Sequence, residues 1–304
     1  MHPAAPIIAF TTLSGLGYGL AAVLGLGILD PAEIATKLAH VLAIFLVSGG
    51  LLSSTLHLGN PQRAWRALSQ WRSSWLSREG VIALLTFVPM TIAAWLAVVE
   101  GRYLALPGLL MTAGSVATVF CTAMIYASLK SVDAWHTPLT PACYLLFAAA
   151  GGTLLAAVAR YVTLAPRRDM MLAAIVALAL AWTVKAFWWR RLRSLTPRSS
   201  PESATGLGDI GRVRLFERPH TNENYLTREM GHRIARKHAR KLSRLAILHG
   251  GVLPILLLGV AGLAGLGGPN LILQLAAVLL FGLGVAVERW LFFAEARHAV
   301  MNYY

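Results

Sequence analysis

The chain has 304 residues, is 57% hydrophobic, only 13% charged, and carries a formal net charge of +14. A soluble domain carries about 25% charged residues, and the mean hydropathy here is +0.62, so the composition is that of a polytopic membrane protein. The basic excess falls in loops between apolar runs, where it sets topology and meets acidic lipid or a partner; it does not read as a nucleic-acid surface.

Apolar runs of about 20 residues, enough to cross a bilayer, fall at 6–28, 35–56, 80–99, 104–128, 141–163, 170–190, 245–267 and 271–293. The start, MHPAAPIIAF, has no basic n-region and continues too far for a cleaved signal, so it reads as the first span. Gly15, Gly17 and Gly19, with Ser14, give that span a small-residue face suited to close helix packing. Lys and Arg are strongly asymmetric between the two sets of loops. One side holds Arg63, Arg66, Arg72 and Arg78, then Lys130, fourteen basic residues in 190–244, and Arg289 and Arg297. The other holds Lys37, Arg102, Arg160, Arg167 and Arg168. The positive-inside rule then predicts an all-α integral membrane protein, an eight-transmembrane-helix bundle with both termini cytoplasmic. It forms a single membrane domain over 1–304.

The long basic cytoplasmic loop, 190–244, has two parts. Residues 194–211 are rich in Ser, Pro and Gly and read as a flexible lead. Residues 222–244 read as a basic amphipathic helix, with Thr227 as its cap. Two roles fit that helix: resting on anionic headgroups, or serving as a docking platform for a cytoplasmic partner. The expected docking residues are Arg63, Arg66, Arg233, Arg236, Lys237 and Arg240.

Several chemistries lack their residues. No GxSxG elbow and no HExxH or zinc-deaminase motif is present. Two cysteines, Cys121 and Cys143, without a CxxC, cannot hold a cubane iron–sulfur cluster, which needs about four thiolates, and imply no structural disulfide. A bis-histidine haem needs ligands at matching depth; His40 and His249 lie near opposite membrane faces, and each is expected to hydrogen-bond a neighbouring helix. Lys185 is expected to snorkel to the cytoplasmic surface. Glu288, Arg289, Glu295 and Arg297 are expected to form ion pairs holding the C-terminal end, against a partner or within the chain. Span centres nearly free of charge argue against a transporter or proton pump.

The polar stretch 57–80, HLGNPQRAWRALSQWRSSWLSREG, stands apart. His57 and Glu79 lie at two helix–loop junctions on one predicted face, among arginines and tryptophans. Quinol chemistry moves two protons with two electrons and needs one group to hydrogen-bond a ring oxygen and another to pass protons to water. Histidine suits the first task because it titrates near neutral pH, and glutamate suits the second. Arg72 and Arg78 favour an ionised Glu79 and negative charge on the ring. Trp71 and Trp75 can stack on that ring or sit at the interface. The expected quinone-binding set is therefore His57, Glu79, Arg72, Arg78, Trp71 and Trp75. A purely structural anchor, with quinone bound elsewhere, is the rival reading.

The string LHLGNPQRAWRALSQWRSSWLSREG resembles the membrane anchor subunit of the dimethyl sulfoxide reductase family of iron–sulfur molybdoenzymes. HPAAPIIAFTTLSGLGYG, FCTAMIYASLKSVDAWHTPLTP and ERPHTNENYLTREMGHRIARKHARKL resemble it too, so the likeness covers nearly the whole chain. It implies an anchor in the bacterial cytoplasmic (inner) membrane that binds neither haem nor iron–sulfur cluster, has no metal site, and is not an enzyme alone. Its implied partners are a four-cluster ferredoxin-like iron–sulfur subunit and a molybdopterin catalytic subunit. Its substrate is quinone, ubiquinone or menaquinone, and the family's quinone-site histidine and acid fall on His57 and Glu79. Within the family, the cytoplasmic placement of the 57–79 loop and the wording of WRSSWLSREG favour the sulfite-oxidising branch, which reduces quinone, over the quinol-oxidising reductases.

Overall fold

The structure, a computed structural model, describes residues 3–56, 58, 60–161, 168–196, 199–214, 216–217, 234–263 and 267–303. Hydrocarbon offers no hydrogen-bond partners, so a spanning chain must satisfy its backbone within each segment. Helices do this, and among the described residues there are no strands. Eight helical runs are long and apolar enough to cross a membrane. They are α1 (Ala5–Gly25), α2 (Ile34–Thr55), α3 (Trp75–Trp95) with a π-turn to Glu100, α4 (Ala105–Ala127), α5 (Leu139–Tyr161) and α6 (Asp169–Ser194), then two further runs. After the one-turn α7 (Pro201–Thr205), α8 (Ile234–Ile247) continues through a π-turn (Leu248–Val252) into α9 (Leu253–Leu263), and α10 (Gly267–Ala294) completes the bundle.

Two boundaries differ from the sequence expectation in ways that matter. The third helix starts at Trp75, five residues early, because Ser74 caps it by accepting the Ser77 N–H at 3.4 Å. Arg78 and Glu79 are thus in the helix and not at its junction. The seventh span also starts early, at His238. The basic residues from Ile234 onward do not form a separate surface helix; they open the helix that crosses the membrane. The 222–233 part of the expected amphipathic helix, with Thr227 and Arg233, lies outside the described residues. Ahead of it, the stretch expected to be a flexible lead contains α7, which is closed by a Ser200–Ser203 capping box.

α1 and α5 occupy the middle of the bundle: 61% of each span is buried, against 33–44% for the other six. α1 touches α2, α4, α5 and α10. Its small-residue face works as expected. A Cβ on Gly19 would overlap the Ala148 carbonyl of α5, and one on Gly152 would overlap Gly19 in return. Gly17 meets Val47 of α2 in the same way, whereas Gly15 faces open space and takes no part.

The largest departure from expectation is electrostatic. Lys185 does not snorkel; it is 1% exposed and pairs with Glu288 at 2.6 Å. Trp188 lies 3.5 Å beneath its ammonium, and Trp189 and Phe292 flank it. Arg289 stacks on Tyr144 at 3.7 Å and contacts Glu288 at 3.4 Å. Glu288 and Arg289 are therefore bound within the bundle and do not face a partner. Trp189 extends the cluster by donating to Glu295 at 2.9 Å, and burial pushes the Glu295 carboxyl above its usual range, offset in part by that bond. Next to it, Tyr126, Trp135, Tyr144, Phe292 and Phe293 form one aromatic cluster. Trp135 donates to the Phe292 carbonyl at 2.9 Å, and this fixes the 128–138 turn against α10. His249, expected to bond a neighbouring helix, instead pairs with the Leu245 carbonyl of its own helix at 2.9 Å.

Removing one member of a buried ion pair costs about 3–5 kcal/mol, because the other charge is left uncompensated. Lys185→Met leaves Glu288 with Arg289, whereas Glu288→Gln leaves two cations without their counter-charge. Thermal unfolding of the detergent-solubilised protein is therefore expected to rank stability as wild type, then Lys185→Met, then Glu288→Gln.

Candidate functional site

The polar stretch between α2 and α3 folds as a 3-10 turn, Pro61–Leu68, followed by tight turns up to Ser74. The turn has no buried residue. Arg63 and Arg66 are exposed, and Trp65 is 66% exposed with the Arg66 guanidinium 5.6 Å from its ring. Trp71 is 53% exposed, with Arg72 5.6 Å from its ring. Two contacts fasten the stretch to α3. The Ser77 hydroxyl donates to the Ala67 carbonyl, and Leu68 covers Gly80, where a Cβ would come within 2.7 Å of its side chain.

Arg78 is the clamp. Its Nε donates to the Trp71 carbonyl at 3.0 Å and its Nη2 to the Arg72 carbonyl at 2.6 Å. The guanidinium also stacks on Trp75 at 4.4 Å. A planar fork with several fixed donors can hold two carbonyls and lie on a ring at once, which an ammonium cannot. Trp75 in turn meets Phe120 of α4 edge-on at 5.9 Å. Arg78 is thus engaged with the loop backbone, while Arg72 and Trp71 stay at the surface.

One turn on, Glu79 points into the bundle and is 5% exposed. Its carboxylate oxygen Oε1 accepts a hydrogen bond from Thr122 on α4. Thr122 is 5% exposed and also reaches the Thr118 carbonyl at 3.0 Å. A buried carboxylate one turn into a membrane-spanning helix, with a hydroxyl as its partner, is a group suited to proton handling or to helix pairing.

The structure therefore brings together Glu79, Arg78, Trp75 and the backbone of Trp71 and Arg72. His57 lies outside the described residues, as does Arg233. Arg236 and Lys237 fall in α8, and Arg240 is exposed further along it. Sequence reasoning missed Thr122. Its signal was available: Ser115, Thr118 and Thr122 recur at helical spacing in an otherwise apolar run and form one buried face of α4.

A profile of the family described as DMSO reductase anchor subunit (DmsC) matches residues 1–294. A subunit of the sulfite dehydrogenase of Allochromatium vinosum is 32% identical over 326 residues, covering 100% of this chain and 99% of that protein. The anaerobic dimethyl sulfoxide reductase chain YnfH of Escherichia coli is 29% identical over 160 residues, covering 50% of this chain and 56% of that protein.

If Arg78 clamps the loop through its fork, Arg78→Lys must loosen it almost as much as Arg78→Ala. Limited trypsin digestion of the purified protein is expected to cut after Arg72 several-fold faster in both variants; an unchanged rate with lysine assigns the restraint to charge alone.

Proposed function

The chain belongs to the family of DMSO reductase anchor subunits, and from that premise we propose that it is the quinone-reactive anchor of a membrane oxidoreductase. Its partners are an iron–sulfur subunit and a molybdopterin catalytic subunit, and the complex oxidises sulfite and reduces quinone. The observation that carries the site is Glu79: a carboxylate buried one helical turn into a membrane-spanning helix, four residues after Trp75 and next in sequence to the Arg78 clamp. A purely structural anchor could use the same Glu79–Thr122 bond only to pair α3 with α4, and the variants below separate the two roles.

Reduction of the quinone consumes two electrons and two protons. The electrons come from the nearest cluster of the iron–sulfur subunit. His57 hydrogen-bonds one ring oxygen, and Glu79 delivers protons and is recharged from water. Trp71 and Trp75 border the ring, and Arg72 adds positive charge at the rim. Arg63, Arg66 and Arg240 supply exposed cations for docking the soluble subunits, joined by Arg233, Arg236 and Lys237. Both termini and this face are cytoplasmic, following the loop-charge asymmetry, and the membrane is the bacterial inner membrane.

The sulfite branch is favoured because likeness to the sulfite dehydrogenase protein runs over the whole chain, whereas likeness to the reductase chain covers half of it. The alternative, a reductase anchor that oxidises quinol, uses the same residues in the opposite direction.

In the assembled complex, Glu79→Gln is expected to lower quinone-linked turnover about 10²- to 10⁴-fold, the usual worth of a positioned proton-transfer group. Turnover with a soluble dye that takes electrons before the quinone is expected to stay unchanged, as is assembly. Full quinone-linked turnover in that variant returns the chain to the class of structural anchors. For topology, alkaline phosphatase fused after the C-terminus, which is active only when exported, is expected to be inactive.

A further inference from the structure

The acid of the proposed quinone site has a partner that reaches two oxygens with one proton. Thr122 Oγ1 lies within hydrogen-bond reach of Glu79 Oε1 and of the Thr118 carbonyl, the latter at 3.0 Å. A threonine hydroxyl carries a single donor proton and two acceptor lone pairs. It can donate to only one of these oxygens at a time. When Glu79 is ionised, the carboxylate is the stronger acceptor, since charge-assisted bonds are roughly twice as strong as neutral ones. Thr122 then donates to Glu79. When Glu79 is protonated, its own O–H donates to Thr122, and Thr122 turns its proton to the Thr118 carbonyl. The same contact survives both states with its direction reversed.

Back-bonding to the i−4 carbonyl is ordinary for threonine in apolar helices. Thr11, Thr86, Thr91, Thr118 and Thr153 all do it here. Among the described residues, Thr122 is the one whose back-bonded hydroxyl also meets a carboxylate. The second acceptor, buried with it between α3 and α4, separates this residue from the ordinary cases.

We propose that Thr122 is a positioning residue for proton transfer at Glu79: by reversing its hydrogen bond it holds the carboxyl in one place through the protonation cycle. The proposal rests on the quinone-site reading above. Without the reversal, a neutral Glu79 buried at this depth must swing to find an acceptor, and its proton leaves the line to the substrate oxygen. Misplacing a reacting group by about 1 Å can cost on the order of 10²-fold in rate. Other titratable groups near Glu79 are Tyr18 on α1, Cys121 and Tyr126 on α4 and Tyr144 on α5, with Arg289 on α10 behind the tyrosines; Arg78, next to it on α3, turns to the loop carbonyls. All of them stay unaltered in the variants below.

The test uses the whole complex in lipid nanodiscs, with a short-chain ubiquinone as the probe. Quinone-linked turnover is measured across pH beside the dye-linked turnover that bypasses the site. Thr122→Val keeps the shape and removes the hydroxyl; Thr122→Ser keeps the hydroxyl and removes the methyl. Thr122→Val is expected to lose about 10- to 100-fold of quinone-linked turnover and to displace its pH profile. Thr122→Ser is expected to stay within about twofold of wild type with the native profile, and dye-linked turnover to hold in both. An unchanged rate and profile in Thr122→Val overturn the proposal, as does a serine variant that falls as far as the valine one. Should Thr122→Val fail to assemble, Thr122→Ala carries the same expectations. Failure of both to assemble, with serine normal, shows a structural tie and also counts against it. Glu79→Gln separates the two levels: if it is inactive while Thr122→Val is normal, only the Thr122 role falls; if it retains full quinone-linked turnover, the quinone site itself falls.

Discussion

Hydrocarbon accepts no hydrogen bonds, and that one constraint shapes this molecule from backbone to site. It makes every span a helix, because only a helix satisfies its amides within one segment. It also favours a partner for each charge inside the bundle, as three residues show. Lys185 meets Glu288 at 2.6 Å and rests on two tryptophans, and Arg289 lies on Tyr144. The same pressure acts on the π-turn that joins α8 to α9. Its Gly250 carbonyl accepts the Trp182 indole N–H at 2.7 Å, so a break in the regular helical ladder is repaired from α6.

Apolar surface does not drive helix against helix in lipid as it does in water, so close approach must come from shape. α1 provides it. Gly17 and Gly19 admit α2 and α5 to backbone contact, and a side chain at either would collide with the neighbour's backbone. Further along, Thr112 and Tyr103 donate from α4 and the loop before it to the Ala22 and Gly25 carbonyls at 2.8 Å. α4 is thereby fixed against the central helix, and it carries Thr122 to the place where α3 delivers Glu79. The site depends on the bundle's centre even though it lies at one end.

Much of this was legible in the sequence, and what was not has physical reasons. Long apolar runs mark spans because bilayer thickness demands them, so all eight were found. Their ends were less well marked. Trp75, Arg78 and Glu79 fall beside a polar loop in the sequence, yet Ser74 caps a helix there and the fork of Arg78 reaches back to bond the Trp71 and Arg72 carbonyls. Lys185 was misread for a related reason. A lysine followed by WW and two arginines looks bound for the surface, and only the fold shows Glu288 on a helix a hundred residues away. The basic run 234–244 looked like a surface helix because its own composition is polar; its continuation through a π-turn depends on contacts from α6 and α10. Thr122 was hidden because threonine in an apolar helix is common, and its partner is 43 residues distant.

Among the described residues, Glu79 and Glu288 are the deeply buried carboxylates, and their surroundings differ in kind. Glu288 has an ammonium at 2.6 Å and a guanidinium at 3.4 Å. Such a group ties α6 to α10. Glu79 has a hydroxyl as its hydrogen-bond partner, and the cation nearest in sequence, Arg78, commits its donors to loop carbonyls. A hydroxyl can support a carboxylate as a donor and a carboxylic acid as an acceptor, so the contact persists in both protonation states. One acid is given a counter-charge and the other a hydroxyl. That contrast supports the proposal of Glu79, and not Glu288, as the proton-exchanging group of the quinone site.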